Sequence, residues 1–223
     1  MERRQAVELL VETGRRIMEK GLTWGNAGNI SVKLDEDHIL VTASGSRFDS
    51  LCEESLTVWE LSTQKYFGKK PSKELPVHIK AYENAAWAGA VLHTSPLHAT
   101  TFSATGLCVN NRLYVENMYY LQRVCRIPYC HPGSAALGDA VAKAAASHNV
   151  MLLDHHGVLA YDTSLEEACM AVEILENTCR MQLLALGAGI QLSTLDEQTV
   201  QDFLLRSGYK TPRLWPDDFG KTR

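Results

Sequence analysis

Apolar segments that read as buried strands alternate along the chain with helix-period segments, and this alternation predicts an α/β fold. Two stretches carry the prediction. Gly89–Leu92 and Val150–Leu153 are short runs of small and branched apolar residues, and each runs into polar, metal-capable side chains. The first ends in His93, Thr94 and Ser95, the second in Asp154, His155 and His156. No GxGxxG fingerprint accompanies them, which argues against a dinucleotide-binding version of the fold.

In chain order, Ala6, Leu9, Leu10, Ile17 and Met18 recur at helical spacing and Gly21 follows Lys20, predicting a helix over about 2–20. Gly25–Val32 reads as a loop whose glycines let backbone approach a ligand, with Asn29 and Ser31 supplying hydrogen bonds. His38–Thr42 is a strand running into Ala43-Ser44-Gly45-Ser46, a second loop of small hydroxyl-bearing residues, and two such loops suit a phosphate. Leu56–Leu61 alternates like a strand, and the Ser62-Thr63-Gln64 turn before Tyr66-Phe67 predicts a hairpin. Pro71–Pro76 precedes a helix over 77–85, which puts Ser72, Lys73 and Glu74 at a helix N-terminus where anions are favoured. Pro96 stops the strand that carries His93, and a short helix over 97–104 halts at Gly106. From there to Cys125 the pattern fits neither period. Arg126–Ser134 is a strand-to-loop passage, and helices follow over 135–146 and over 165–186, the latter capped by Ser164 with Glu167. Between those two helices, Val150–Asp154 and Val158–Tyr161 are strands. Thr194 with Glu197 caps a last helix to about Arg206, and an exposed tail follows from about Tyr209.

Composition bounds the function. The 223 residues suit one domain, and 45% hydrophobic with 22% charged residues is the balance of a soluble globular protein. A formal charge of −4 gives no footprint for nucleic acid. The charged start, Met1–Gln5, leads into an amphipathic pattern rather than an apolar signal core, and no apolar run reaches membrane-spanning length. A cytoplasmic protein is expected, with no membrane or nucleic-acid partner. Six cysteines without CxxC spacing read as free, mostly buried thiols.

His93 and His156 each end a strand, and Glu74 opens a helix shortly before the first, a combination of imidazoles and carboxylate suited to a divalent metal. Taken with Gly28-Asn29-Ile30-Ser31-Val32, Thr42-Ala43-Ser44-Gly45, Pro71-Ser72-Lys73-Glu74, His93-Thr94-Ser95 and Leu152-Leu153-Asp154-His155-His156-Gly157, nearly the whole chain resembles the class II aldolase and adducin-head family. Within that family it resembles the L-fuculose-1-phosphate aldolases.

The resemblance implies a three-layer α/β/α fold around a mostly antiparallel sheet. It also implies one domain over 1–223 and a cyclic homotetramer with sites between subunits. It places a zinc ion at the positions of His93, Ser95 and His156 and an acid/base glutamate at Glu74. The phosphate loops fall on Gly28, Asn29, Ser44, Gly45, Ser72 and Lys73. A tail tyrosine that closes the neighbouring site falls on Tyr209. Two positions depart from the family pattern. Ser95 stands where the second zinc histidine belongs, which leaves His93 and His156 with Glu74 as the available third ligand. Lys73 replaces the second serine of Pro-Ser-Ser and adds a cation. His98, His131 and His155 match no ligand position and are expected in structural or supporting roles. The implied activity is that of a metal-dependent aldolase, a lyase acting on a phosphorylated ketose or related sugar phosphate. There the metal polarises a carbonyl and Glu74 moves a proton. The same family holds pentulose-phosphate 4-epimerases, oxo-acid phosphate decarboxylases and the non-catalytic adducin head.

Overall fold

The structure is a computed structural model that describes residues 1–213 and Trp215. In chain order the elements are α1 (Arg3–Glu19), β1 (Asn29–Lys33), β2 (His38–Thr42), β3 (Leu56–Glu60), β4 (Lys65–Gly68), α2 (Leu75–Asn84), β5 (Ala90–Thr94), α3 (Leu97–Ser103), α4 (Val115–Tyr120), β6 (Val124–Ile127), α5 (Ala135–Ala145), β7 (Val150–Leu153), β8 (Gly157–Asp162), α6 (Leu165–Gly187) and α7 (Glu197–Arg206). The strands form one eight-stranded sheet in the order β4-β3-β2-β1-β5-β8-β7-β6. Every pairing is antiparallel except β6 with β7, so the expected mostly antiparallel sheet is present.

Period 2 divides the strand residues between two apolar cores. Ile30, Val32, Leu40, Leu92, Val158 and Ala160 face α1, α3, α4 and α6. Ile39, Val41, Val91, Met151, Leu159 and Tyr161 face α2 and α5. Helices on both faces explain why β5, β7 and β8 read as continuous apolar runs instead of alternating ones. The layers are therefore α/β/α.

Several expectations need correction. The Asn29–Lys33 segment is a strand, not a loop, and the stretch without clear period contains α4. α7 is capped by Asp196, whose Oδ1 accepts from the Thr199 N–H at 2.8 Å, while the Thr194 hydroxyl accepts from Asn110. The tail is tied down through its described part. Lys210 Nζ donates to Glu167 Oε1 at 2.6 Å, Arg213 Nη2 donates to Asp162 Oδ2 at 2.6 Å, and Trp215 is only 4% exposed. The tail's cations answer carboxylates that would otherwise be left unpaired in partly buried positions. All six cysteines are free, but only Cys169 and Cys179 are buried. Among the described residues, no helix is long and apolar enough to cross a membrane.

Candidate functional site

Register brings the candidate residues to one end of the sheet. β1 runs antiparallel to both neighbours, with Asn29 opposite His93 and Ser31 opposite Val41. The start of β1, the ends of β2 and β5 and the start of β8 therefore meet. Two glycines let them close. A Cβ on Gly28, whose φ is +95°, would lie 2.6 Å from the His93 carbonyl oxygen, and one on Gly157 would lie 2.5 Å from the Thr94 carbonyl oxygen.

Three side chains converge there. Glu74, His93 and His156 each offer a donor atom, and these atoms lie within 4.8 Å of one another. His156 Nε2 is 3.1 Å from Glu74 Oε1, His93 Nε2 is 3.4 Å from Glu74 Oε2, and the two rings meet edge to face at 4.7 Å. His93 Nδ1–H donates to the Val158 carbonyl at 2.9 Å, which fixes the tautomer and turns the Nε2 lone pair toward the carboxylate. Glu74 Oε1 is buried without a hydrogen bond of its own. Electron-pair donors aimed at one another in a buried place are stabilised by a cation between them, and two imidazoles with one carboxylate is a donor set of catalytic zinc sites. The residues present thus fit a divalent metal. Burial alone would raise the Glu74 carboxyl; the adjoining His156 and His93 and the Asn29 amide outweigh it and hold the group at about 2. Burial pushes His93 below the usual imidazole range.

A second feature supports Glu74 from behind. The face of β1 turned to α2 is polar, carrying Asn29, Ser31 and Lys33. α2 answers with Glu74 at its N-cap, His78 and Tyr82, four residues apart and on one face. Asn29 Nδ2 donates to Glu74 Oε2 at 2.9 Å, His78 Nε2 lies 2.5 Å from Asn29 Oδ1, and Ser31 Oγ contacts both His78 Nδ1 (2.7 Å) and Tyr82 Oη (2.9 Å). Burial lowers His78 to about 3, so the ring is neutral. Sequence reasoning passed over His78 and Tyr82. The signal was available in the spacing of four from Glu74 set against the period-2 polar residues of β1.

The candidate anion residues lie beside this cluster. Ala43 bridges Pro71, the Ser44 N–H donates to the Lys70 carbonyl at 2.8 Å, and the Ser72 N–H donates to the Thr42 carbonyl at 3.1 Å. This pins the two loops together and leaves Ser44, Gly45 and Lys73 exposed. The Ser72 hydroxyl accepts from the Glu74 N–H at 3.2 Å. Asn29 is different: its side chain is buried and engaged by Glu74 and His78 rather than left open to an anion. Ser95 lies just past β5, buried, with its hydroxyl 3.5 Å from the His156 carbonyl oxygen.

Other candidates lie elsewhere. Tyr209 packs on Tyr119 and Phe203 of its own chain, with ring centroids 5.8 and 5.4 Å away, and the structure does not bring it to Glu74. The tail docks at the far end of β8, where Arg213 meets Asp162. His98 binds Glu176 at 2.6 Å, His131 Nδ1 lies 3.2 Å from the Tyr129 hydroxyl, and His155 is exposed. None of the three joins the Glu74 cluster.

Comparison with known proteins identifies the family and supports the fold. The family model for the class II aldolase and adducin N-terminal domain matches residues 8–183. A 3-oxo-tetronate 4-phosphate decarboxylase of Haemophilus influenzae is 34% identical over 191 residues, covering 84% of this chain and 91% of the relative. The L-fuculose phosphate aldolase of Escherichia coli is 27% identical over 200 residues, covering 90% and 93%. The crystal structure of YgbL from Klebsiella pneumoniae superposes with a TM-score of 0.82 at 29% identity, covering 91% of this chain and 99% of that one. With that extent of match and a fold to accompany it, the chain belongs to the class II aldolase and adducin N-terminal domain family.

Proposed function

We propose that the protein is a metal-dependent lyase that breaks a carbon–carbon bond in a phosphorylated sugar acid, releasing carbon dioxide from a 3-oxo acid phosphate. The observation that carries the reading is the convergence of Glu74, His93 and His156 beside the paired loops that expose Ser44, Gly45 and Lys73. Identity to the decarboxylases supports the acid as substrate. Retro-aldol cleavage of a ketose phosphate is the second reading, supported by the resemblance to L-fuculose phosphate aldolase.

Glu74, His93 and His156 would hold the metal, zinc being the ion this donor set favours. When bound, such an ion supplies the Lewis acid that polarises the substrate carbonyl. The main chain at Gly28 and Asn29, with Ser44, Gly45, Ser72 and Lys73, holds the phosphate and sets which substrate carbon faces Glu74. Glu74, once its carboxylate is released from the ion, moves the proton at the carbon where the bond breaks. The chain acts as one domain in a homotetramer, each tail presenting Tyr209 to a neighbouring site. The docking of the tail away from its own Glu74 supports that arrangement. Six free thiols fit the reducing cytoplasm.

The test is product analysis. Zinc-loaded protein is given phosphorylated 3-oxo sugar acids and, separately, ketose phosphates. Carbon dioxide from the acids supports the first reading, and an aldehyde with a smaller ketone phosphate supports the second. Silence on both substrate classes with zinc present refutes the lyase.

A further inference from the structure

The polar seam between β1 and α2 has a direction, and chemistry fixes it. Glu74 Oε2 accepts from Asn29 Nδ2 at 2.9 Å, so the Asn29 amide presents its oxygen Oδ1 to His78. The Asn29 oxygen can only accept in turn, so His78 must carry its proton on Nε2 and leave Nδ1 as an acceptor for the Ser31 hydroxyl. Ser31 Oγ, its hydroxyl hydrogen directed to His78, is left to accept from the Tyr82 hydroxyl. Every donor in the row Tyr82, Ser31, His78, Asn29 points toward the carboxylate. All five groups are at most 7% exposed, so each bond polarises the next in a medium that water does not screen. An amide cannot pass a proton along such a row, so the seam orients a group rather than shuttling protons.

We infer that His78 is a positioning residue: by holding the Asn29 amide in one orientation it fixes Glu74 Oε2 and aims Oε1 at His156. Without the Nε2–H donor the Asn29 oxygen loses its anchor, the amide is free to swing off the carboxylate, and Glu74 loses its set position between His93 and His156. The inference rests on the proposed metal site for its consequence, but not for its geometry.

The experiment measures zinc affinity by chelator competition, with zinc alone as the ligand, on wild type, His78→Leu and His78→Gln. It also records the ¹⁵N shifts of the His78 ring in the zinc-free protein. Glutamine can place an N–H where Nε2–H stands, whereas leucine cannot. Outer-sphere supports of metal ligands typically contribute about 10–100-fold in affinity. His78→Leu should therefore weaken zinc tenfold or more at temperatures where it remains folded, while His78→Gln should stay within about threefold of wild type, and the ring should carry its proton on Nε2. A merely structural role lowers the melting temperature of both variants and leaves zinc affinity unmoved. Affinity for His78→Leu within twofold of wild type, His78→Gln no better than His78→Leu, or a proton on Nδ1 overturns the inference. Should His78→Leu fail to fold, Ser31→Ala takes its place, with a threefold or greater loss expected and an unchanged affinity overturning the proposal. If wild type itself binds no zinc, the metal reading fails, and the ring tautomer alone then decides the orientation of the seam.

Discussion

Replacing Gly157 by alanine tests whether the meeting of β5 and β8 sets the site. The new Cβ would lie 2.5 Å from the Thr94 carbonyl oxygen and 3.0 Å from Ser95 Oγ, where ordinary contact begins at 3.4 Å, and φ is +157°. The nearest atom is backbone at the closing pair of the β5–β8 ladder, where Thr94 stands opposite Val158 and His93 opposite Leu159, so the clash is not with the far end of a flexible side chain. Relief requires the start of β8 to move off β5, which carries His156 away from His93. Overpacking costs about 1–3 kcal/mol and a strained φ about as much again, so the variant should lose about 2–6 kcal/mol. For a chain of this size, at about 2–4 °C per kcal/mol, that corresponds to a fall of about 4–24 °C in melting temperature. Zinc affinity should fall with it. Gly106→Ala is the control, because a Cβ there meets nothing within 4 Å, and its melting temperature should stay close to wild type. Calorimetric unfolding and zinc titration measure both effects. A Gly157→Ala protein that melts within 2 °C of wild type and binds zinc normally would refute the reasoning.

Acidification should destabilise the metal-free protein. His78 falls from 6.5 to about 3 on folding, so its contribution is complete above pH 6.5 and is lost as pH drops toward 3. Glu74, at about 2 against 4.5, adds a loss of the same sign below pH 4.5. Each group contributes a slope of at most about 1.4 kcal/mol per pH unit within its window. Urea unfolding of wild type from pH 7 to 5 should show the slope and His78→Gln should flatten it in part; a flat wild-type profile contradicts the assignment. Inorganic phosphate should raise the melting temperature by mass action, and Lys73→Ala should remove most of that rise; an equal rise in the variant would place the anion elsewhere. Ser95→His should tighten zinc binding, because Ser95 closes β5 beside His93 and His156, and equal or weaker binding would show that a third imidazole cannot reach the ion.

How much of this was legible depended on where each residue's partner sits in the chain. The strand that carries His93 and the strand that ends three residues before His156, itself in the turn from β7 to β8, declared themselves because burial on both faces demands an unbroken apolar run. Glu74 declared itself because Pro71 and Pro76 bracket a helix start. β1 was hidden for the opposite reason. Its Asn29, Ser31 and Lys33 alternate with Ile30 and Val32 as strand residues do, but a polar face beside glycines resembles a loop unless the answering face of α2 is already known. The tail failed in the same way, since Lys210 and Arg213 look solvated until Glu167 and Asp162, more than forty residues upstream, are brought alongside. α4 lacks a clear apolar period because its Asn117 is fully buried and bonds the Leu113 and Tyr114 N–H groups, a local use of a polar side chain that mimics a turn.

Calorimetric titration of metal-stripped protein with zinc measures whether Glu74, His93 and His156 together hold one divalent ion. One ion per chain is expected in wild type, with loss of that binding in His93→Ala and His156→Ala and a weakened site in Glu74→Gln. Absence of binding in wild type, or binding of one ion that survives both histidine substitutions, would contradict it.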